Sequence, residues 1–195
     1  MICGIDEAGR GPLAGPVCAA AVILSEDFPL NLLNDSKKLT APRREEIRGI
    51  IIEKALYWGI GWASHTEIDS INILQASLLA MKRAFEDIMK KAGNSLGDNK
   101  ANISVIVDGK FVPKINEGGT SYPCAAMVRA DAQVPEVMAA SILAKTERDA
   151  HMNKMAKLYP QYNYEKHKGY PTKAHREAVL KYGPSPIQRL TFKVK

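Results

Sequence analysis

The sequence has few of the residues and patterns that mark secreted, zinc-binding or membrane proteins. It contains three cysteines, without a CxxC pair: Cys3, Cys18 and Cys124. An odd number without ligand spacing argues against a disulfide framework and against a zinc site, and favours reduced thiols in the core. The longest uninterrupted apolar stretch, residues 17–24, is too short to cross a bilayer, and Asp6 and Glu7 would interrupt a signal-peptide core. We therefore expect a soluble cytoplasmic protein that does not associate with membranes.

Nucleotide-binding signatures are also missing, although two motifs near the N-terminus approach them. Residues 4–11 (GIDEAGRG) resemble the phosphate loop GxxxxGK[ST], but Arg10 and Gly11 replace its lysine and its hydroxyl residue. Residues 9–14 fit the dinucleotide fingerprint GxGxxA, yet residues 15–24 predict a strand where that fingerprint needs a helix. A nucleotide-hydrolysing enzyme and a cofactor-binding Rossmann unit are both disfavoured.

Length and composition indicate one main domain with a basic surface. The chain has 195 residues, 46% of them hydrophobic, and carries a net charge of +6 with a pI near 9.2. A chain of this length can form one hydrophobic core of ordinary size. The positive charge favours a polyanionic partner such as nucleic acid, although acidic and basic residues are well mixed.

Hydrophobic periodicity predicts an α/β fold with a mixed five-stranded sheet flanked by helices. The first two strands form a hairpin with acid at its bend, and the strands of the second half alternate with helices, which implies parallel pairing. The predicted strands span 2–6, 17–24, 57–63, 103–107 and 122–128. The predicted helices span 41–55, a segment that begins at Thr66 or Asn72 and ends at Gly93, and 135–158, with a surface loop at 92–100.

Three aspartates fall at or just past the ends of predicted strands: Asp6, Asp108 and Asp131. Active sites of open α/β sheets lie beyond the carboxyl ends of their parallel strands, so these side chains are expected at one edge. Because neighbouring strand residues point to opposite faces, Glu7 reaches the same site only if the first strand stops at Asp6.

Four carboxylates at one edge need a cation among them. Two carboxylates about 5 Å apart repel by roughly 3 kcal/mol at an effective dielectric constant near 20. Oxygen ligands favour Mg²⁺ or Mn²⁺, and a pair of such ions suits phosphodiester cleavage. None of the four histidines has metal-ligand spacing or a serine-nucleophile motif. The alternative for each acid is that it caps a turn or pairs with a lysine.

Several long blocks, in order and spacing, resemble bacterial ribonuclease HII over nearly the whole chain. They are DEAGRGPLAGP at 6–16, NDSKKLT at 34–40, VDGK at 107–110, RADAQVPEVMAASILAKTERD at 129–149, HKGYPTKAH at 167–175 and GPSPIQR at 183–189. The resemblance implies an RNase H-like catalytic domain at 1–158 and a C-terminal helical substrate-binding segment at 159–195, in a monomer.

The resemblance also implies the reaction and its catalytic groups. The expected activity is endonucleolytic hydrolysis of RNA in RNA/DNA hybrids, and nicking 5′ of single ribonucleotides in duplex DNA, with 3′-hydroxyl and 5′-phosphate ends. Asp6, Glu7, Asp108 and Asp131 match the family's four metal-binding acids, which hold two divalent ions during catalysis. A metal-activated water would attack phosphorus, so no histidine base is required.

Further residues match the family's substrate contacts. Gly9, Arg10 and Gly11 match its ribose-sensing turn, where glycines let the backbone approach a 2′-hydroxyl closely. Tyr170 matches the tyrosine that packs on the deoxyribose following the ribonucleotide.

Basic residues suggest contacts with phosphates. Lys37 and Lys38 are candidates from a loop, although a solvated lysine pair is the commoner explanation. Ser141 and Lys145 lie four residues apart on one helix face, with Arg148 continuing that edge, so the three predict a phosphate track.

The C-terminal QRLTF, from Gln188 to Phe192, resembles the bacterial sliding-clamp pentapeptide, although the family has a structural segment here. Two departures from the family, Ala130 in place of glycine and Gln188 in place of histidine, remove no proposed ligand. Two rivals stay open. Ribonuclease HIII carries an extra N-terminal domain, for which the start at Met1 leaves no room, and a catalytically inactive hybrid-binding module would have a broken acidic set.

Overall fold

A computed structural model describes residues 1–34 and 39–193, with the backbone alone for residues 98 and 99. The strands are β1 Ile2–Ala8, β2 Val17–Ile23, β3 Tyr57–Ala63, β4 Ser104–Asp108, β5 Asn116–Glu117, β6 Thr120–Ser121 and β7 Cys124–Met127. The helices are α1 Ala41–Lys54, α2 His65–Ala92, α3 Pro135–Leu158, α4 Tyr164–His167 and α5 Lys173–Tyr182. Short 3₁₀ turns lie at Leu30–Leu32, Gly97–Asn102, Ala130–Ala132 and Pro160–Tyr162.

Five strands form one mixed sheet in the order β3-β2-β1-β4-β7, which confirms the predicted fold class. The pairs β1/β2 and β2/β3 are antiparallel, whereas β1/β4 and β4/β7 are parallel. The small hairpin β5/β6 was not predicted, because its strands of two residues each carry no periodic signal.

Helix starts follow local side-chain chemistry. The Thr40 side chain accepts a hydrogen bond from the Arg43 amide at the start of α1, and Ser64 and Glu67 form a reciprocal capping box at the start of α2. Asn72 has a left-handed φ of 66° inside α2, and its side chain caps Leu74 and Gln75. The predicted starts at Thr66 and Asn72 therefore both lie close to what is seen, a helix that begins at His65 and restarts after Asn72.

The helices cover both faces of the sheet. Helix α2 packs on one face through a core that includes Ile5, Ala21 and Phe85, and α1 and α3 pack on the other through Ile51 and Ile142. A third, smaller core ties the C-terminal segment to the end of α3. Among the described residues, no helix is both long and apolar enough to span a bilayer.

Candidate active site

Two of the predicted acids lie side by side at the carboxyl ends of parallel strands. The β1/β4 register pairs Ile5 with Val107, so the next residues along the two strands are Asp6 and Asp108. Asp131 comes from the 3₁₀ turn Ala130–Ala132, which follows β7 on the other side of β4. Parallel strands deliver their carboxyl ends to one edge, and the structure brings these three aspartates together there.

The three aspartates form a compact, largely buried cluster. One carboxylate oxygen from each of Asp6, Asp108 and Asp131 lies within 4.8 Å of the others. Asp6 is 6% exposed and Asp131 is 5% exposed, whereas Asp108 is partly exposed. Water can therefore screen the charges on these oxygens only weakly.

The loop after β7 is fixed to Asp108 by the backbone. The Ala130 amide donates to Asp108 Oδ1 at 2.8 Å, and Arg129 takes a left-handed conformation with φ 62° at the start of the 3₁₀ turn. The positive φ lies at Arg129, and Ala130 is fully buried. Alanine at 130 is therefore compatible with the placement of Asp131.

Close packing of α3 on β1 positions Asp6. A Cβ at Gly4 would lie 2.2 Å from the Glu136 backbone carbon, so only glycine lets the start of α3 approach the strand this closely. Asp6 points to the same face as Gly4, and its carboxylate forms a hydrogen bond with Ser141 one turn further along α3. Ser141, which was predicted to bind phosphate, is 5% exposed and contacts the Asp6 carboxylate.

The expectation that Glu7 could reach the site only if β1 stopped at Asp6 is wrong. Strand β1 does not stop at Asp6 but continues through Ala8, so the acids are inside the strand and not at the bend. Nevertheless Glu7 lines the same cavity as Asp6 and Asp108. The pairing between β1 and β4 ends at Ile5, and an open strand edge lets a side chain from the opposite face reach the rim.

Burial and mutual repulsion dominate the electrostatics of this cavity. Burial raises the pKa of Asp6 well above its ordinary value, and the charges of Glu7 and Asp108 raise it further, although the hydrogen bond from Ser141 opposes this. Burial also raises the pKa of Glu7, against the attraction of Arg10, whose guanidinium lies 3.3 Å from Glu7 Oε1.

The donor set fits a hard divalent cation. All of its donors are carboxylate oxygens, and Glu7 Oε2 is buried without a hydrogen-bond partner in the described structure. Lys145, which lines the cavity, already binds Asp149 at 2.8 Å. Oxygen-only, anionic sites of this kind suit Mg²⁺ or Mn²⁺ rather than Zn²⁺.

Predicted substrate residues surround the acids. Ser141, Lys145 and Tyr170 line the cavity of about 220 Å³ that contains Asp6, Glu7 and Asp108. Tyr170 is 40% exposed, and a Cβ at Gly11 would lie 3.6 Å from its ring. The structure thus brings Gly11 of the predicted ribose-sensing turn next to Tyr170, which lines the cavity.

Three other residues were predicted to contact phosphate: Arg148, Lys37 and Lys38. Arg148 does not continue the track of Ser141 and Lys145, because it is 1% exposed and donates to backbone carbonyls. Helical spacing correctly predicted that Arg148 lies on the same side of α3 as Ser141 and Lys145, but it could not reveal that the turn after β1 covers this side chain. Lys37 and Lys38 lie outside the described residues.

The pentapeptide Gln188–Phe192 is folded against the body of the protein. Gln188 and Arg189 are 4% and 0% exposed, and the amides of Leu190 and Thr191 donate to Asp69. Leu190 is 73% exposed. Arg189, which sequence patterns did not single out, donates four hydrogen bonds to the turn after β1.

Histidines and cysteines take no part in the cavity. Its lining includes none of the four histidines, and His167 and His175 stack on each other in the C-terminal segment with ring centroids 4.6 Å apart. All three cysteines are free thiols, as predicted, but Cys124 is half-buried and not in the core as expected; burial raises the pKa of Cys3 and Cys18.

Comparison with known proteins matches this chain to one family. The family model described as Ribonuclease HII matches residues 3–195. A curated Ribonuclease HII of Treponema denticola is 55% identical, over 100% of this chain and 99% of its own length. One of Dechloromonas aromatica is 47% identical, over 98% of this chain and 90% of its own length.

A solved structure shares the whole architecture. The ribonuclease HII in the PCNA complex from Archaeoglobus fulgidus matches with a TM-score of 0.75 and 25% identity, covering 100% of this chain and 96% of that one.

Proposed function

This chain belongs to the ribonuclease HII family, and from that premise we propose that Asp6, Glu7, Asp108 and Asp131 carry out its catalysis. The protein is an endoribonuclease that acts on RNA/DNA hybrids. The observation that carries the assignment is the meeting of Asp6, Asp108 and Asp131, from three separate elements, within 4.8 Å of one another. The family's dependence on divalent metal agrees with this cluster.

We infer that Mg²⁺ or Mn²⁺ is the resident ion and that two ions bind during catalysis. The three aspartates would hold them, with Glu7 Oε2, which is buried and unpartnered, as the fourth donor. Bound there, the ions would stabilise the negative charge that develops on the attacking and leaving oxygens of phosphodiester hydrolysis. The expected products carry 3′-hydroxyl and 5′-phosphate ends.

The remaining groups would bind and orient the substrate. Ser141 holds the Asp6 carboxylate in position, and Lys145 lies where it can exchange Asp149 for a substrate phosphate. The Gly9–Gly11 turn would approach the 2′-hydroxyl beside the scissile phosphate, and Tyr170 would pack on the next sugar, which supports nicking 5′ of a single ribonucleotide.

We also propose that residues 1–158 form the catalytic unit and that 159–195 act as a substrate-binding segment, in a monomer. Supporting this division, the C-terminal segment supplies Tyr170 and packs through a core of its own with Met152 and Ala156 of α3. The intact acidic set disfavours the rival of an inactive hybrid-binding module.

Sliding-clamp binding through Gln188–Phe192 stays a prediction. The ribonuclease HII of Archaeoglobus fulgidus forms a complex with PCNA, which favours a clamp partner for this chain. In the folded chain, Leu190 and Thr191 of this segment are exposed, whereas Gln188 and Arg189 are buried. A clamp that gripped the whole pentapeptide would have to detach it from the turn after β1.

The test uses duplex DNA with one embedded ribonucleotide, incubated with Mg²⁺, with Mn²⁺ or with chelator, and with both fragment ends mapped. We expect metal-dependent cleavage on the 5′ side of the ribonucleotide, and loss of cleavage in Asp131→Asn but not in Glu53→Gln, an exposed carboxylate on α1. Cleavage in chelator, or 2′,3′-cyclic phosphate ends, would contradict the proposal.

A further inference from the structure

Two arginines are buried beneath the turn that joins β1 to β2. Arg189 is 0% exposed and Arg148 is 1% exposed, and neither has a carboxylate within ion-pair distance in the described part of the chain. Every hydrogen bond that they donate goes to a backbone carbonyl. Burying a charge that has no ionic partner is unfavourable, so the use of arginine at both positions calls for a reason other than stability.

Arg189 reaches both ends of the turn with one planar group. Its Nε donates to the Gly15 carbonyl at 2.8 Å, and Nη2 donates to the carbonyls of Gly9 at 2.6 Å and Pro16 at 3.2 Å. Its Nη1 donates to the Arg10 carbonyl at 2.9 Å. A lysine ammonium is a single point and could not span these carbonyls, whereas the guanidinium fork presents its donors in fixed directions.

Arg148 packs against the same turn from α3. It donates to the carbonyls of Pro16 at 3.0 Å and Ala14 at 3.3 Å, and a Cβ at Gly9 would lie 1.9 Å from its Nε. Gly9 also has φ +99°, which side chains rarely adopt. Burial and the charge of Arg148 lower the pKa of Arg189 to about 9, so the Arg189 guanidinium stays charged near neutral pH.

These bonds determine where the turn's own amides point. A peptide unit is planar and trans, so its N–H points away from its C=O. When Arg189 draws in the carbonyls of Gly9 and Arg10, the amides of Arg10 and Gly11 face the opposite side. Neither amide donates to another group in residues 1–34 or 39–193. Gly11 lies beside the ring of Tyr170, and Tyr170 lines the acidic cavity.

We propose that Arg189 is a positioning residue for ribose recognition: it holds the Gly9–Gly11 turn so that the amides of Arg10 and Gly11 face the ribose beside the scissile phosphate. This inference rests on the proposed function of that turn. It assigns to the C-terminal segment a role in substrate discrimination through the backbone, besides the contact that Tyr170 makes.

The experiment compares Arg189→Lys with the wild type on two substrates, a long RNA/DNA hybrid and duplex DNA with one embedded ribonucleotide. Lysine keeps the charge but loses the fork. A displacement of about 1 Å in a positioned group costs about 100-fold in rate, and a single ribonucleotide offers only one register in which to bind. We expect a fall of about 100-fold in kcat on the embedded ribonucleotide and of less than about 10-fold on the long hybrid.

Two controls separate positioning from general damage. Arg83→Lys alters another arginine that donates to a backbone carbonyl, that of Trp62, outside the cavity, and should change both rates by the same factor. In Arg189→Ala, millimolar ethylguanidinium should restore the ratio of the two rates, whereas ethylammonium should not. Urea unfolding establishes whether each variant is folded at the assay temperature. If Arg189→Lys is not folded, the ethylguanidinium rescue of Arg189→Ala still tests the role of Arg189.

Gly11→Ala distinguishes failure of this inference from failure of the proposed function, since a methyl group there meets only the Tyr170 ring at ordinary contact distance. A changed ratio in Gly11→Ala with an unchanged ratio in Arg189→Lys would overturn the role of Arg189 alone. Unchanged ratios in both would remove ribose sensing from the turn itself. An equal loss on both substrates in Arg189→Lys, without selective rescue, would make Arg189 merely structural.

Discussion

Replacing Asp108 with asparagine separates the two roles of this carboxylate, as a metal ligand and as a backbone acceptor. Asp108 Oδ1 accepts the Ala130 amide at 2.8 Å, and an asparagine oxygen can accept the same hydrogen bond. The substitution removes only the negative charge from a cluster of three carboxylates. We therefore expect Asp108→Asn to abolish cleavage while stabilising the metal-free protein.

The size of this stabilisation follows from the spacing of the cluster. Two unit charges at the 4.8 Å limit of the three oxygens repel by about 3 kcal/mol at an effective dielectric constant near 20. The raised pKa of Asp6 already relieves part of that repulsion, because a protonated carboxyl carries no charge. We expect the free energy of unfolding without metal to rise by about 1–3 kcal/mol, and Tm by about 3–9 °C.

The assay is thermal unfolding in chelator and in excess Mn²⁺ or Mg²⁺, beside cleavage of an RNA/DNA hybrid. An ion at 100 times its Kd stabilises a folded protein by about 2.7 kcal/mol, so wild-type Tm should rise with metal. Asp108→Asn should lose most of that rise, whereas Glu53→Gln, which removes an exposed charge from α1, should keep it.

Two outcomes would refute this reasoning. A lower Tm of Asp108→Asn in chelator would mean that the charge itself stabilises the fold, for example by pairing with a cationic group of the protein. An undiminished rise in Tm with metal would mean that Asp108 does not hold the ion.

Three further predictions concern binding, discrimination and stability. Lys145→Ala should weaken binding to hybrids of every sequence and reduce the slope of log K against log salt by about 1. The control is Lys82→Ala, which should not change the slope, because Lys82 has a matching i,i+4 ion pair but lies outside the cavity. Equal slopes for the Lys145 variant and the wild type would mean that Lys145 does not contact the phosphates. Tyr170→Ala should slow cleavage at a single embedded ribonucleotide more than in a long hybrid, and an equal loss on both would count against junction sensing. Glu67→Gln should lower the free energy of unfolding at pH 7 by about 1 kcal/mol, because Arg83 holds the pKa of the half-exposed Glu67 at about 2. Urea unfolding should show the full loss of stability above pH 4.5, and the difference from the wild type should disappear as the pH falls towards 2. A difference that does not depend on pH would contradict the ion pair.

Much of the fold was predictable because its signals are local. The strands 57–63 and the helix 135–158 match the observed bounds, and Thr40 caps α1 as its position before a proline-containing first turn predicted. Mixed strand pairing was predicted because the first half of the chain reads as a hairpin and the second half alternates strands with helices. The parallel pairs bring the carboxyl ends of β1, β4 and β7 to one edge of the sheet. Chain order, which is visible in the sequence, was enough to predict that edge.

Other features depended on parts of the chain that lie far apart. The position of Glu7 depends on where pairing with β4 ends, about a hundred residues further along, and strand alternation within β1 could not reveal it. Arg148 has the spacing of a surface residue on α3, but the turn after β1 covers it. The side chain of Asp6 meets Ser141 only because Gly4 lets α3 approach β1.

The sequence by itself determined that this protein has an α/β fold with three aspartates at the ends of neighbouring strands, because periodicity and strand ends are properties of short segments. Tertiary structure alone decided that Arg189 would lie under the turn formed by residues 9–16, because a buried guanidinium gains its hydrogen bonds only where distant carbonyls converge. The acids needed only chain order to meet, whereas the geometry of the turn beside them depends on packing between the two ends of the chain.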